Sequence, residues 1–225
     1  MKKIGYLLFV ICVLTVIGCG NRFLREIDTS YPTQFDLGQF SLLGETRTQL
    51  AYHDRESVFF VDENSASASF EIIHAEAPGL DSINVFVDNI YDDSTGVRTA
   101  YVSQYLDDTL RSAALNMEFI VRLRARPNLA NPGSRDVGDW VEVWSKTPGE
   151  TAFRKTFETV FNQRSWPRDE LTPPVEEITL FNRIFQEVWM HQVASGPGEV
   201  WFNRQYGIVS FTDGSGRQWR FQNLE

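Results

Sequence analysis

"ALNMEFIVRLRAR", residues 114–126, decides how the rest of the chain is read. Leu115, Met117, Phe119, Val121, Leu123 and Ala125 alternate with Asn116, Glu118, Ile120, Arg122, Arg124 and Arg126. An extended chain turns successive side chains to opposite faces, so a period of two predicts a strand over 115–126, one face buried and the other mostly wet. On a helix Val121 and Arg122 would lie on adjacent faces and the segregation would be lost.

Similar short runs lie on either side of it, punctuated by Gly, Pro, Asn and Asp. They are "SVFFVDE" (57–63), "ASFEIIHAE" (68–76), "SINVFVDNIY" (82–91), "RTAYVSQYL" (98–106), "GDWVEVWSKT" (138–147) and "FRKTFETVF" (153–161). At the C-terminal end, "EVWFNR", "YGIVSFTD" and "RQWRFQ" lie within 199–223, the last two separated by "GSG". Asp213-Gly214-Ser215-Gly216 supplies the positive φ that a tight hairpin demands, so this region predicts a β-meander. Residues 175–193 fit either a hairpin turning at Phe181-Asn182-Arg183 or a helix carrying Ile178, Phe181, Phe185 and Val188 on one stripe. The fold expected is all-β and predominantly antiparallel, a sandwich or a partly open barrel. The Pro-bearing stretches 125–138 and 164–174 read as loops, not linkers, so 35–225 is expected to be one domain.

The beginning of the chain has a different character. Lys2 and Lys3 precede a short apolar run from Ile4 to Ile17, and both cysteines, Cys12 and Cys19, lie in the first nineteen residues. A stable membrane-spanning helix takes about 20 apolar residues, so the run has the proportions of a secretory signal. Val16-Ile17-Gly18-Cys19 resembles the lipobox of bacterial lipoproteins: aliphatic residues, a small residue, then cysteine. The resemblance implies cleavage before Cys19, acylation of Cys19 and anchorage of residues 19–225 to a membrane through lipid. Gly20, where inner-membrane lipoproteins of the family carry Asp, implies the outer membrane. Residues 1–18 would then be the signal, and 19–34 a lipidated N-terminus and tether of mixed charge without a clean period. With Cys12 removed and Cys19 acylated, no thiol remains for a disulfide, and the core alone must stabilise the domain. The end of the chain, from about Ile178 onward, resembles a group of uncharacterised exported β-rich lipoproteins that close with an aromatic strand, a Tyr-Gly-Ile strand, an Asp/Gly turn and a Trp strand. That resemblance favours the hairpin over 175–193 and implies no particular chemistry.

The whole chain carries 21 Lys+Arg against 30 Asp+Glu; loss of Lys2 and Lys3 leaves 19 against 30, or −11. Such a surface argues against nucleic acid as a partner. Hydrophobic residues at 42% with 13% aromatics fit a globular domain, not a disordered one.

Familiar catalytic patterns are missing. The four lysines, Lys2, Lys3, Lys146 and Lys155, follow no Gly, so there is no Walker A loop, and none completes a Ser-x-x-Lys. His53, His74 and His191 are followed by Asp, Ala and Gln, which excludes a His-Glu-x-x-His zinc helix. No Gly-x-Ser-x-Gly elbow occurs. Asp88, Asp92 and Asp93 could offer oxygens to Ca²⁺, but at no EF-hand spacing, and acidic loops are ordinarily just solvated. No metal or cofactor is expected.

Two features would suit binding. Arg122, Arg124 and Arg126 project from one face of a strand as a cationic ladder, able to clamp a planar oxyanion or to pair with acids on neighbouring strands. Trp140 and Trp144 share a face with Glu142 between them, which suits carbohydrate stacking if exposed and core packing if not. The expected function is a non-catalytic structural or binding role, working with another envelope protein. A small-ligand or carbohydrate carrier using these residues is the first alternative. A hydrolase with a histidine in reach of a Ser or acid is the second.

Overall fold

The computed structural model describes residues 34–87, 97–129, 136–168, 171–190 and 198–225. It divides into two compact units, Met1–Phe35 with Phe86–Thr99, and Asp36–Val85 with Ala100–Glu225. Of the first, only 34–35, 86–87 and 97–99 are described; the second holds the β-domain.

The described elements are, in order, β1 (Gln34–Phe40), α1 (Gly44–Gln49), β2 (Ser57–Asp62), β3 (Ser67–His74), β4 (Gly79–Val87), β5 (Val97–Ser112) and β6 (Met117–Pro127). They continue with β7 (Val137–Lys146), β8 (Arg154–Asn162), β9 (Val175–Leu180), β10 (Arg183–Val188), β11 (Val200–Asn203), β12 (Gly207–Thr212) and β13 (Gln218–Leu224). One sheet runs β11-β12-β13-β2-β3-β5-β6-β7-β8, with β1 and β4 also paired to β5; β9 and β10 form a separate ribbon. The described ladders are antiparallel. The expected all-β, mostly antiparallel fold is therefore found, as a nearly closed nine-strand barrel or sandwich. Among the described residues no helix is long and apolar enough to cross a membrane.

Alternation places the core. On β6, Met117, Phe119, Val121, Leu123 and Ala125 are all buried, the predicted inner face. On β2 and β3, Val58, Phe60, Phe70 and Ile72 do the same. Four rings from four strands meet inside: Phe211 lies 4.9 Å from Phe60, 5.5 Å from Phe70 and 5.2 Å from Phe119. Edge-to-face geometry of this kind adds to the area buried, so packed rings fill this level of the interior.

Two ends of the sheet approach without a ladder. Phe157 of β8 stacks on Phe202 of β11 with centroids 5.5 Å apart, and Arg204 reaches the Val160 carbonyl at 3.5 Å. This seam is where the barrel stays open.

The turns explain the registers. Ser112 pairs with Met117, so Ala113–Asn116 is the β5–β6 turn, and β6 begins two residues later than the alternation predicts. Asn116 takes φ 47 there, a left-handed conformation that Asn tolerates. The predicted C-terminal meander is present as β11–β12–β13. Its last turn is held by more than glycine: the Asp213 carboxylate accepts the Ser215 N–H (2.8 Å), the Arg217 N–H (3.0 Å) and the Trp219 indole N–H (2.9 Å). Burial pushes the Asp213 pKa up, but these donors and the Ser215 hydroxyl together hold it below the ordinary carboxylate value. Residues 175–188 form the hairpin, not the helix. Its turn is Phe181–Asn182, at φ 45 and 64, and Arg183 already belongs to β10 opposite Leu180.

β1 and α1 have no counterpart among the predicted strands. α1 is tied down by Asp139 of β7, whose fully buried carboxylate accepts the Thr46 hydroxyl (2.5 Å), the Leu43 N–H (3.3 Å) and an Arg164 N–H (3.2 Å). Just beyond, Tyr52 is completely buried and accepts the Ile208 N–H at 2.6 Å. Gly207 makes room for it: at φ +75, a Cβ there would fall 2.3 Å from the Tyr52 hydroxyl.

Because Phe211 touches three other strands' rings, Phe211→Ala should lower the unfolding free energy by about 3–5 kcal/mol. Urea unfolding checks this, and a loss under about 1 kcal/mol would mean that the ring cluster does not hold the walls together.

Candidate functional site

The predicted cationic ladder lies on the outer face of β6, and that face is only partly exposed. Arg124 is 6% exposed. Register brings acids to each rung. Asp107 of β5 stands opposite Arg122, and Glu142 of β7 opposite it on the other side, with Glu158 of β8 next in line. Arg122 makes a two-pronged pair with Asp107, Nε and Nη2 each 2.7 Å from an oxygen. The Asp107 hydrogen bond outweighs burial and raises the Arg122 pKa further. Arg124 binds Asp81 at 2.9 Å and lies 3.7 Å from Glu142. Arg126 binds Glu158 at 2.9 Å and also lies 3.7 Å from Glu142. Lys155 completes the array on Glu158 at 2.7 Å. Arg122, Arg124, Arg126 and Lys155 thus face Asp81, Asp107, Glu142 and Glu158, and the patch is neutral. The ladder is cross-paired, the second of the two roles open to it.

The tryptophans join the same array. Trp140 and Trp144 are half-buried on this outer face, not in the core. Arg126 sits 4.5 Å above the Trp140 ring and Lys155 5.9 Å from that of Trp144. Trp144 Nε1 donates to Glu142 at 3.3 Å, and Trp166 packs edge-on against Trp140 at 5.2 Å. Arg122 covers the Tyr105 ring at 4.3 Å. The Trp140, Trp144 and Tyr105 rings thus each carry one of the protein's own cations, the arrangement that cation–π attraction favours.

His74 meets the hydrogen-bond requirement set for a hydrolase, since Nδ1 lies 2.8 Å from an Asp108 oxygen. Its Nε2, however, lies 2.8 Å from the Arg55 carbonyl, which can only accept. A carboxylate on one side and a carbonyl on the other are both acceptors, so these contacts favour the doubly protonated ring, which has no lone pair to offer as a base. Burial opposes this charge, but Asp108 and the Arg55 carbonyl outweigh it and raise the His74 pKa. Asp108 also sits above its ordinary value, because its own burial outweighs the pull of His74. Half-buried His53 lies 3.3 Å from exposed Asp54. Cys19, Asp88, Asp92, Asp93 and His191 lie outside the described residues. No group of three or more metal-ligating side chains occurs among the described residues.

A feature that sequence patterning did not reveal lies at the barrel seam. A cleft of about 280 Å³ opens between β8, Arg168 with residues 171–174, and the start of the β11–β12 turn. Val160, Leu171, Pro173, Pro174 and Trp189 form its apolar walls. Thr159, Gln163, Arg168, Thr172 and Arg204 bring polar groups to it. Trp189 is fixed by its Nε1 donating to the Thr172 carbonyl at 3.2 Å and by two backbone bonds with Phe202. Arg204 lies 5.2 Å from the Trp189 ring and 5.8 Å from that of Phe161. The only sequence signal was the Pro-rich loop at 164–174, which carries no indication of what would face it.

No family model, no curated protein and no solved structure is significantly similar to this chain.

Glu142 is 4% exposed and lies 3.7 Å from both Arg124 and Arg126, so Glu142→Gln removes the buried counterion they share and should cost about 3 kcal/mol in urea unfolding. Asp81 is 45% exposed, and Asp81→Asn should cost under about 1 kcal/mol. Equal costs would mean that burial does not set the worth of these pairs. The His74 contacts predict a pH dependence. Its folded pKa lies above the unfolded value of 6.5, so its stabilisation is complete below that and is lost as pH rises through the folded value. Asp108 has the same sign at lower pH, while Arg47 and His53 add favourable charge around it. The wild-type urea midpoint should therefore fall as pH rises above about 6.5, and His74→Gln should flatten that slope; an unchanged slope in the variant would assign it to other groups.

Proposed function

We propose that this chain is a lipid-anchored envelope protein whose β-domain serves a non-catalytic structural or binding role through its outer surface. The observation that carries the domain half of this reading is the filled interior. Phe60, Phe70, Phe119 and Phe211 occupy the space in which a barrel-type carrier would hold a guest. An apolar ligand there would have to displace close-packed rings, at a cost comparable to removing them. The Arg122–Arg126 row and the Trp140–Trp144 pair lend the carbohydrate reading little support, since each arginine already holds a carboxylate and cations cover both rings, although Arg124 Nε and Trp140 Nε1 are buried without a hydrogen bond. His74, held between two acceptors that favour its protonated form, lends none to the hydrolase.

The membrane half rests on the sequence Val16-Ile17-Gly18-Cys19 and the short apolar run before it. Several acyl chains on Cys19 would hold the domain firmly, because each buried methylene contributes about 0.8 kcal/mol. Attachment by lipid suits a domain whose charged face is internally neutralised and whose net charge is negative, since such a surface does not itself grip anionic headgroups. The role in the envelope is then contact with another protein there, presented at the end of the 19–34 tether.

Intact mass of the protein taken from its native membrane tests the anchor. The wild type should match residues 19–225 plus acyl groups and fractionate with membranes, whereas Cys19→Ala should lose both the acyl mass and the membrane association. An unlipidated wild-type mass would remove the basis for the envelope assignment.

A further inference from the structure

We propose that the cleft at the β8–β11 seam is a binding site for a small carboxylate carried on an apolar ring. The inference is independent of the lipid anchor, because the cleft belongs to the folded domain whatever becomes of Cys19.

The first argument is the state of its arginines. Acids outnumber bases 30 to 21 in this chain. Consistent with that excess, Arg111, Arg122, Arg124, Arg126, Arg164 and Arg217 each have a carboxylate within ion-pair distance. Arg168 and Arg204 have none among the described residues, as is also true of Arg47, Arg55, Arg183 and Arg220, but these two face one cleft together. The Arg204 guanidinium makes one long contact, 3.5 Å to the Val160 carbonyl, and Glu187 acts on it only through its longer-range field. A guanidinium carries five N–H donors in a planar fork that matches a carboxylate, so most of that capacity is unspent. The aromatic rings of Trp189 and Phe161 support the guanidinium and hold it at the seam.

The second argument is the wall opposite. Leu171, Pro173, Pro174 and Trp189 offer rigid apolar surface beside the two cations. Prolines and an indole pinned by its Nε1 bond lose little freedom on binding, which favours a preformed site. A bare inorganic anion would leave this wall wet, and a neutral ring would leave the arginines unused. A volume of about 280 Å³ lies at the small end of ligand sites and admits one or two rings, not an acyl chain.

The third argument is why the cleft exists. Along most of the sheet, ladders bring neighbouring strands close enough to exclude a guest. At the seam β8 and β11 touch through Phe157 and Phe202 without a ladder, and the remaining gap is covered by the 171–174 segment and Trp189. The opening is thus a consequence of incomplete closure, and the residues that line it are those that no ladder satisfies.

The test is calorimetric titration of the full chain with phenylacetate, with phenylacetamide and with inorganic phosphate, alongside the Trp189 indole N–H signal in NMR spectra. Phenylacetate should bind at one site with a dissociation constant below about 1 mM and shift the Trp189 signal. Phenylacetamide, which lacks the charge, and phosphate, which lacks the ring, should each bind at least about tenfold more weakly. Arg204→Gln should weaken phenylacetate about tenfold or more, and Arg168→Gln should weaken it by a smaller factor while keeping the wild-type unfolding midpoint. Absence of phenylacetate binding at about 10 mM would overturn the proposal, as would equal binding of the amide or of phosphate. So would affinity unchanged in both folded arginine variants. Where Arg204→Gln does not fold, Arg168→Gln and the Trp189 signal decide the matter alone.

Discussion

The contact of Phe211 with Phe60, Phe70 and Phe119 is what makes one continuous sheet into a closed body. β12 lies on one arm of the sheet and β6 on the other, with β13, β2, β3 and β5 between them in the ladder order. Hydrogen bonds along that path fix only neighbours. The curl that brings β12 across to β6 is rewarded inside, where Phe211 meets all three rings within 5.5 Å. In a chain with no disulfide available to its domain, this apolar contact does the work of a cross-link. Tyr52 adds a second tie, from the segment before β2 to the backbone at Ile208, and it requires Gly207 to be bare.

Filling the inside moves every polar possibility to the outside. The β6 face shows how far that surface is self-satisfied. Its arginines and Lys155 are matched by four carboxylates drawn from β4, β5, β7 and β8, and its aromatic rings carry the same cations. Such an array costs desolvation, and Glu142 at 4% exposure would be intolerable without its neighbours. Its return is register: a one-residue slip of β6 against β5 or β7 would turn the arginines inward and oppose like to like elsewhere. The charged face therefore specifies strand alignment, while the phenylalanines supply the driving force.

These two roles explain what was legible in the sequence. The inner face of β6 could be read directly, because alternation is local and Met117 to Ala125 state it without reference to any other strand. The 175–188 hairpin and the C-terminal meander were legible for the same reason, their partners being adjacent in the chain. β1 was not, since its partner β5 lies some sixty residues on and its own sequence, Gln34–Phe40, carries a glycine and little alternation. The state of the arginine ladder was out of reach too. Arg124 finds Asp81 across 43 residues and Arg126 finds Glu158 across 32, and nothing near residues 122–126 reveals those acids. Trp140 and Trp144 were ambiguous between core and surface because their faces depend on the same distant cations.

The seam was the least legible feature, and the reason is geometric. Its residues come from the end of β8, the Pro-rich connection, Trp189 and Arg204, segments that share no periodicity and meet only because the barrel fails to zip shut. Closure by a ladder would have required β11 to be longer than its four residues, and Asn203 prevents extension. Its side chain donates to the Gln186 carbonyl at 2.5 Å and accepts the Gln205 and Tyr206 N–H groups, turning the chain back into β12. Arg204 is the residue that this turn throws outward, over Trp189 and Phe161. A tight local turn thus leaves the sheet one pairing short, and that missing pairing leaves both a gap and an arginine beside it without a carboxylate.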